Sequence, residues 1–510
     1  MRTEKSIKNL FFGIILQLAI AAIGIVNRTV MIKYIGIQAL SLNGLFTEVL
    51  AMLALAELGV GSAITYSLYK PLSTGDTKRI AKLMNLYKKA YRVVAVVILG
   101  IGIGLLPFIQ YLVNSVSYSV DYIRLVFFLF VIQTASSYLF AYKTALISAD
   151  QKQYLISGIS TVAKILLAVV QISIVVITKN YIVYLVCAVL SVLLTNIILA
   201  HTADKLYPYL KTDAELDEES KKQIFSNIRN VFVSKVSGTI TNSTDNMLIS
   251  ILVSTISVGL YSNYAVIINI IKGMIVQFTN AITASFGNMM ATESPEHCDR
   301  VLQRTTYITF VFGGFSTTGL ICALSKLVEL WLGKEFLLDG FTVAVCVFCL
   351  FINIIRTPLW TIMEISGLFR ENRNTGIIGS LINLIISIIL GVHLGMAGIF
   401  LGTIGTYVIQ GMIKVYYLYN RKLHISARKY SEKLICYTCV VIGQSVLASI
   451  LCSKCRSSVL LVDFVVSCLI AVGVSAFMDL LLFSHTEEFR YCKSLFGSLI
   501  KRLTQNKQGG

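Results

Sequence analysis

The sequence has 510 residues, of which 56% are hydrophobic and only 14% are charged. Soluble globular proteins carry about 25% charged residues, so this composition excludes a soluble fold and indicates an all-α polytopic membrane protein. The net charge of +18 does not indicate a nucleic-acid partner, because the lysines and arginines gather in alternate loops, as they do on the cytoplasmic side of a membrane.

Hydropathy predicts about fourteen transmembrane helices, each near or above the roughly 20 residues that a span needs. The predicted spans are 10–34, 41–68, 90–113, 121–147, 154–178, 181–205, 226–253, 257–290, 302–325, 340–368, 374–395, 397–419, 434–452 and 457–484. Span 7 is the most polar of them. Basic residues before span 1 and in the loops after spans 2 and 12 place both termini in the cytoplasm.

A weak repeat relates the two halves of the sequence. A shift of about 218 positions aligns SLNGLF (41–46) with GLYSNY (259–264), and GSAITYS (61–67) with TNAITAS (279–285). The shift passes over six spans, so both copies have the same orientation, as in two-lobed transporters with parallel repeats. The predicted domains are an N-terminal six-helix lobe (1–205), a cytoplasmic linker (206–225), a C-terminal six-helix lobe (226–420), an additional pair of helices 13 and 14 (421–485) and a basic cytoplasmic tail (486–510).

Charged residues inside the first lobe are candidates for function, because intramembrane charges usually pair or mark a pathway. Gln17 and Arg28 lie on one face of span 1, and Glu48 of span 2 returns to nearly the depth of Arg28. Glu57 lies on the opposite side of span 2, near the depth of Lys164 on span 5. Two interpretations stay open: Arg28 and Lys164 form a positive lining for an anionic head group, or both are members of structural ion pairs.

The second lobe has its own intramembrane charges. Asp245 on span 7 is either an ion-binding residue or part of polar packing. Lys272, Arg356 and Glu364 are further candidates for the central cavity, and Pro358 predicts a bend after Arg356. The candidate substrate-binding residues are thus Arg28, Lys164, Gln17, Glu48, Lys272 and Arg356, and the ion-coupling candidates are Asp245, Glu57 and Glu364.

The basic run GDTKRIAKLMNLYKKAY follows span 2 and is amphipathic. Ile80, Leu83, Met84 and Tyr87 share one face, with lysines on the other. The run either lies on the inner leaflet, attracted to anionic lipid, or extends span 3. Lys414 lies near a helix end, where snorkelling explains it.

Motifs for catalysis are absent from the sequence. There is no G-x-x-x-x-G-K-[ST] loop for ATP, and the five histidines have no metal-ligand spacing. We therefore expect neither an enzyme nor a cofactor or metal site.

Three stretches of the sequence, YIGIQALSLNGLF, LALAELGVGSAITYSLYKPLSTGD and TDNMLISILVSTISVGLYSNYAVI, carry a resemblance to a family. They resemble the Wzx-type flippases, the bacterial polysaccharide transporter group of the multidrug/oligosaccharidyl-lipid/polysaccharide (MOP) superfamily, over about residues 1–420. The two additional helices are similar to those of the lipid II flippases, where the extra pair forms a groove for the lipid tail. The resemblance implies two six-helix lobes around a cavity lined by helices 1, 2, 7 and 8, opening to each side in turn.

The implied function is translocation of a polyprenyl-pyrophosphate-linked oligosaccharide across the bacterial plasma membrane, for capsule, exopolysaccharide or another surface glycan. Membrane potential, Na⁺ or H⁺ would drive it without ATP. Expected partners are the lipid-linked oligosaccharide, anionic membrane lipids, and a polysaccharide polymerase and glycosyltransferases of the same pathway. The alternatives are a cation-coupled multidrug antiporter of the same superfamily, which the basic residues disfavour, and a membrane scaffold of a glycan-synthesis complex that transports nothing.

Overall fold

A computed structural model describes most of the chain, and every regular element in the described ranges is helical. These ranges are 22–53, 67–68, 71–72, 74–114, 116–150, 152–211, 216–218, 222, 244–366 and 368–494. Nine of the helices in them are long and apolar enough to cross a membrane. The predicted class, an all-α polytopic membrane protein, is therefore confirmed, whereas the total of fourteen spans and the side of the termini stay predictions.

The chain forms two compact units, Met1–Ser262 and Asn263–Gly510. The boundary falls inside one long helix, α9, so the first turns of α9 belong to the first unit. The lobe bounds drawn from the sequence stay a prediction, and half of the linker and most of the basic tail lie outside the described residues.

The first unit contains eight described helices and the start of a ninth. They are α1 (22–34), α2 (Ile37–Leu53), α3 (Thr77–Leu105), α4 (Val120–Tyr138), α5 (Ala141–Ala149), α6 (Gln153–Thr178), α7 (Tyr181–Leu206) and α8 (244–252), followed by the start of α9 (Thr255–Thr292). Gly36, with φ of 105°, separates α1 from α2, because a left-handed backbone position favours glycine.

Helix α3 begins thirteen residues before the predicted span 3. Asp76 caps it by accepting a hydrogen bond from the Arg79 backbone N–H at 2.9 Å. The apolar face of the basic run is buried against other helices of the unit, with Ile80 and Tyr87 2% and 0% exposed. Of the two interpretations of this run, extension of span 3 is therefore confirmed, and its apolar face packs on protein rather than on lipid.

The second unit contains most of α9 and six further helices. They are α10 (Pro295–Leu332), α11 (Gly340–Ile355), α12 (Thr357–Ile365), α13 (Phe369–Leu418), α14 (Arg428–Lys454) and α15 (Leu460–Phe483). The predicted bend at Pro358 is confirmed, because α11 ends before it and α12 begins with Pro358 in its first turn. Helix α13 contains predicted spans 11 and 12, separated by Gly395 in a non-helical conformation.

Helices α14 and α15 pack against α10 through buried polar contacts. Lys326 of α10 forms an ion pair with Asp463 of α15, at 2.8 Å between Nζ and Oδ2. Gln444 of α14 donates a hydrogen bond to Asp479 of α15 at 2.7 Å. The ion pair fixes α15 to α10, and the hydrogen bond joins α14 to α15. Asp463 and Asp479, two carboxylates inside a predicted span, thus both have polar partners.

We expect Asp463→Ala to lower the free energy of unfolding by about 2–4 kcal/mol, between the values for exposed and for fully buried ion pairs. The carboxylate is nearly buried and Lys326 is partly covered, so the substitution leaves a cation without its partner. Denaturant titration in detergent measures the change. Lys334 pairs with Glu329 at 3.9 Å on the surface, so Lys334→Ala should change stability by less than about 1 kcal/mol. Equal effects of the two substitutions would contradict this account.

Candidate functional site

A polar cavity lies inside the first unit, between α2, α4, α6 and α7. Its volume is about 470 Å³. Among the described residues, the polar side chains that line it are uncharged: Asn43, Thr47, Gln133, Thr134, Gln171 and Tyr184. The rest of the lining is apolar, with Phe130, Leu167 and Leu185 among it. Such a cavity offers several hydrogen-bond donors and acceptors within segments that are otherwise hydrophobic.

The packing of each helix places these side chains on the cavity wall. Asn43 and Thr47 stand four residues apart on α2, so they lie one above the other on one face. Gln171 is 4% exposed, and its amide donates a hydrogen bond to the Tyr184 backbone carbonyl at 3.3 Å. This bond joins α6 to α7 at the level of the cavity.

Helix α1 attaches to this wall through Asn27. The Asn27 amide donates to Gln171 Oε1 and to the Tyr184 hydroxyl, both at 3.2 Å. Its own Oδ1 is buried and has no hydrogen-bond partner in the described part of the chain. Buried polar atoms are nearly always satisfied, so an acceptor without a described partner is unusual at this position.

Arg28 follows Asn27 and is partly buried beside the same wall. Its guanidinium donates a hydrogen bond to Ser262 Oγ, at the end of the α9 segment in this unit, and it interacts electrostatically with Tyr184. The close approach of α9 to α2 makes this contact possible: a Cβ on Gly259 would lie 2.1 Å from Ser41 Oγ. The structure thus places Arg28 next to the cavity. Its position in the sequence alone did not show this.

Glu48 is also partly buried, on α2. It accepts a hydrogen bond of 3.5 Å from Asn246 of α8. The Arg28–Glu48 pair stays a prediction. Asp245, on α8 beside Asn246, is partly buried as well, and its role as an ion site stays a prediction.

Lys164 is exposed on α6. Seven residues separate it from Gln171, which places the two within about 20° of each other around the helix and about 10 Å apart along it. Lys164 therefore shares a helix face with the cavity wall. Its predicted partner Glu57, like Gln17, lies outside the described residues.

The second unit contains a cluster of basic and aromatic side chains at the junction of α11 and α12. The Arg356 guanidinium stacks over the Tyr407 ring at 3.6 Å and lies 4.7 Å from the Trp360 ring. Lys414 approaches Trp360 at 4.6 Å and donates a hydrogen bond to Asn372. Cation–π contacts of this kind hold positive charge inside a protein.

Three further charged residues lie in the second unit: Lys414, Lys272 and Glu364. Lys414 is only 3% exposed, so the interpretation that it snorkels to the surface is wrong: its ammonium group is held by Asn372 and Trp360. Lys272 is partly buried on α9, and the side chain of Glu364 is outside the described set. The substrate and ion roles of all these residues stay predictions.

Sequence reasoning missed the uncharged lining of the cavity. Asn43, Thr47, Gln133 and Gln171 stand as single amides or hydroxyls in spans that are mostly apolar. Polar groups in a span face protein or water rather than lipid, so their shared presence in spans 2, 4 and 5 was a usable signal.

Comparison with known proteins gives similarity in structure only. No protein-family model matches the sequence, and no curated protein matches it. An inward-facing multidrug resistance MATE family transporter of the MOP superfamily is 15% identical, with a TM-score of 0.63 over 82% of this chain and 99% of that one. The lipid II flippase MurJ, in an inward closed conformation, is 13% identical, with a TM-score of 0.67 over 92% of this chain and 98% of that one.

A third similar structure is a MOP superfamily transporter from Pyrococcus furiosus, for which a binding pocket of reverse polarity was described. It is 14% identical, with a TM-score of 0.54 over 83% of this chain and 97% of that one. At such identities the similarity establishes the fold alone. The chain has the fold of the MOP superfamily transporters.

Proposed function

We propose that this protein is a flippase of the bacterial plasma membrane. It moves a polyprenyl-pyrophosphate-linked oligosaccharide from the inner to the outer leaflet by alternating access, for capsule, exopolysaccharide or another surface glycan. The observation that carries the proposal is the position of Arg28 beside a cavity whose polar lining, among the residues that the structure describes, is uncharged. The similarity of the fold to that of the lipid II flippase MurJ supports it.

The two parts of the cavity wall suit the two polar parts of such a substrate. In a medium of low dielectric constant, a pyrophosphate requires charge-assisted hydrogen bonds. A guanidinium is the side-chain group that supplies such bonds best. Sugar hydroxyls both donate and accept hydrogen bonds, as do the Asn43 and Gln171 amides and the Tyr184 hydroxyl.

Transport of this kind needs no cofactor. An inside-negative potential favours outward movement of an anion by about 2.3 kcal/mol per charge for each 100 mV. Na⁺ or H⁺ at Asp245, Glu57 or Glu364 is the other possible source of coupling. Anionic lipids would contact the basic cytoplasmic segments, and a polymerase and glycosyltransferases would act before and after transport.

A multidrug antiporter is the second candidate, since several similar structures are MATE transporters. A site for cationic drugs needs carboxylates to compensate the positive charge. The described lining beside Arg28 is uncharged, which favours an anion instead. A scaffold without transport activity is the third candidate.

One experiment separates the three candidates. The purified protein is reconstituted into vesicles that contain a fluorescent polyprenyl-pyrophosphate-linked oligosaccharide, and a membrane-impermeant quencher reports its leaflet distribution. A flippase makes the inner-leaflet pool accessible faster than protein-free vesicles do. Exchange at the protein-free rate, with export of a cationic dye, would identify an antiporter; the same slow exchange without dye export would leave the scaffold.

A further inference from the structure

Helices α6 and α7 enclose a second cavity, an apolar groove on the surface of the first unit. Its volume is about 730 Å³, and its lining comes from 155–170 of α6 and 187–198 of α7. Large side chains on both walls are exposed, with Leu166 at 61% and Leu194 at 60%. In membrane-spanning helices such a surface faces hydrocarbon rather than water.

The lining of the groove also includes small side chains. Gly158, Ala163 and Ser191 are among its lining residues. A Cβ added at Gly158 would meet no heavy atom within 4 Å. The groove is therefore a real depression between the two helices, of a size usual for ligand-binding pockets, which measure about 300–1,000 Å³.

One residue connects the groove with the polar cavity. Leu167 of α6 lines both of them. On α7, Cys187 lines the groove and its neighbour Ala188 lines the cavity. The apolar groove and the polar cavity are thus adjacent.

This adjacency indicates what kind of molecule occupies the groove. A bulk membrane lipid keeps its head group at the membrane surface, so its head group does not enter a polar cavity between spanning helices. A transported amphiphile places its head group inside the protein while its chain stays in hydrocarbon. The groove and the cavity together match these two halves.

We propose that the α6–α7 groove binds the isoprenoid chain of the transported lipid while its head group occupies the polar cavity. This inference rests on the proposed flippase function. It assigns binding of the lipid chain to α6 and α7. The resemblance to lipid II flippases would instead assign this role to the added helix pair, here α14 and α15. Because the groove faces hydrocarbon, the chain is held by van der Waals packing against the two helices rather than by removal from water.

Photo-crosslinking of the full-length protein in vesicles tests the proposal without any substitution. The probe is a polyprenyl phosphate with a diazirine in the middle of its chain, and mass spectrometry locates the crosslinked peptides. We expect the crosslinks in 155–170 and 187–198. Crosslinks confined to α14 and α15 would overturn the proposal.

A groove-filling variant gives the second test. Gly158→Phe places a ring in the groove, so the chain loses packing contacts there, and binding of the long-chain probe should weaken by about tenfold or more. Binding of a probe with the same head group and a very short chain should be unchanged. The matched control is Gly104→Phe, at an exposed glycine of α3 where an added Cβ also meets nothing within 4 Å. Equal binding of the long chain by both variants would contradict the proposal.

The two proposals fail in different ways. Crosslinks in the groove without leaflet exchange would keep the groove as a chain-binding site and reject the flippase. Leaflet exchange with crosslinks outside the groove would keep the flippase and reject this inference.

Discussion

Replacement of Arg28 by alanine should lower the rate of leaflet exchange by about 10- to 100-fold, the usual size of a lost charge-assisted hydrogen bond to a desolvated anion. The guanidinium lies beside the polar cavity and is partly buried, so water replaces it poorly. Arg28→Lys should retain part of the activity, because lysine keeps the charge and loses the planar fork. The reconstituted vesicles described above measure both rates.

A matched control for Arg28 is available on the same helix. Lys33 is an exposed cation of α1 whose ammonium lies 5.7 Å from the Tyr34 ring, so Lys33→Ala should leave the exchange rate unchanged. The fold should survive Arg28→Ala, because Ser262 Oγ still donates to the Gly259 carbonyl at 2.6 Å. An Arg28→Ala protein that elutes as a single species and still exchanges lipid at the normal rate would show that the anion site lies elsewhere.

The fold class followed from composition, because a bilayer permits few solutions for chains of such hydrophobicity. The positions of some turns followed as well: Gly36 and Gly395 both have positive φ where the sequence predicted breaks. The start of α3 was missed by thirteen residues. Mean hydropathy drops in the basic run, whereas the helix continues because Ile80 and Tyr87 keep helical spacing and are buried.

The candidate site was predictable only in part. Arg28 could be found because a charge within a span stands out against its surroundings. The uncharged residues Asn43, Thr47 and Gln171 were harder to identify as cavity residues. Whether their side chains face the cavity or a neighbouring helix depends on how α2 and α6 pack. Lys414 illustrates the same limit, because its partner Asn372 is 42 positions away in sequence.

The hairpin inside α13 depends on glycines at its point of closest approach. The two halves of this helix turn at Gly395, and their backbones pack together at Gly398 and Gly402. A Cβ on Gly398 would lie 2.0 Å from the Leu390 carbonyl oxygen, and one on Gly402 would lie 2.6 Å from the Ser387 backbone nitrogen. This G-x-x-x-G spacing is typical of closely packed membrane helices.

We expect Gly398→Ala to destabilise the protein by at least about 3 kcal/mol, at the upper end of overpacking effects. The atom in the way belongs to the backbone and cannot rotate aside, so the two halves of α13 must separate. The membrane yield and the midpoint of thermal unfolding in detergent should both fall. Gly405 is the matched control in the same helix: a Cβ there meets nothing within 4 Å, so Gly405→Ala should be neutral or slightly stabilising, since alanine favours helix over glycine by about 1 kcal/mol. Equal stability of the two variants would mean that the halves of α13 do not pack as closely as the structure has them.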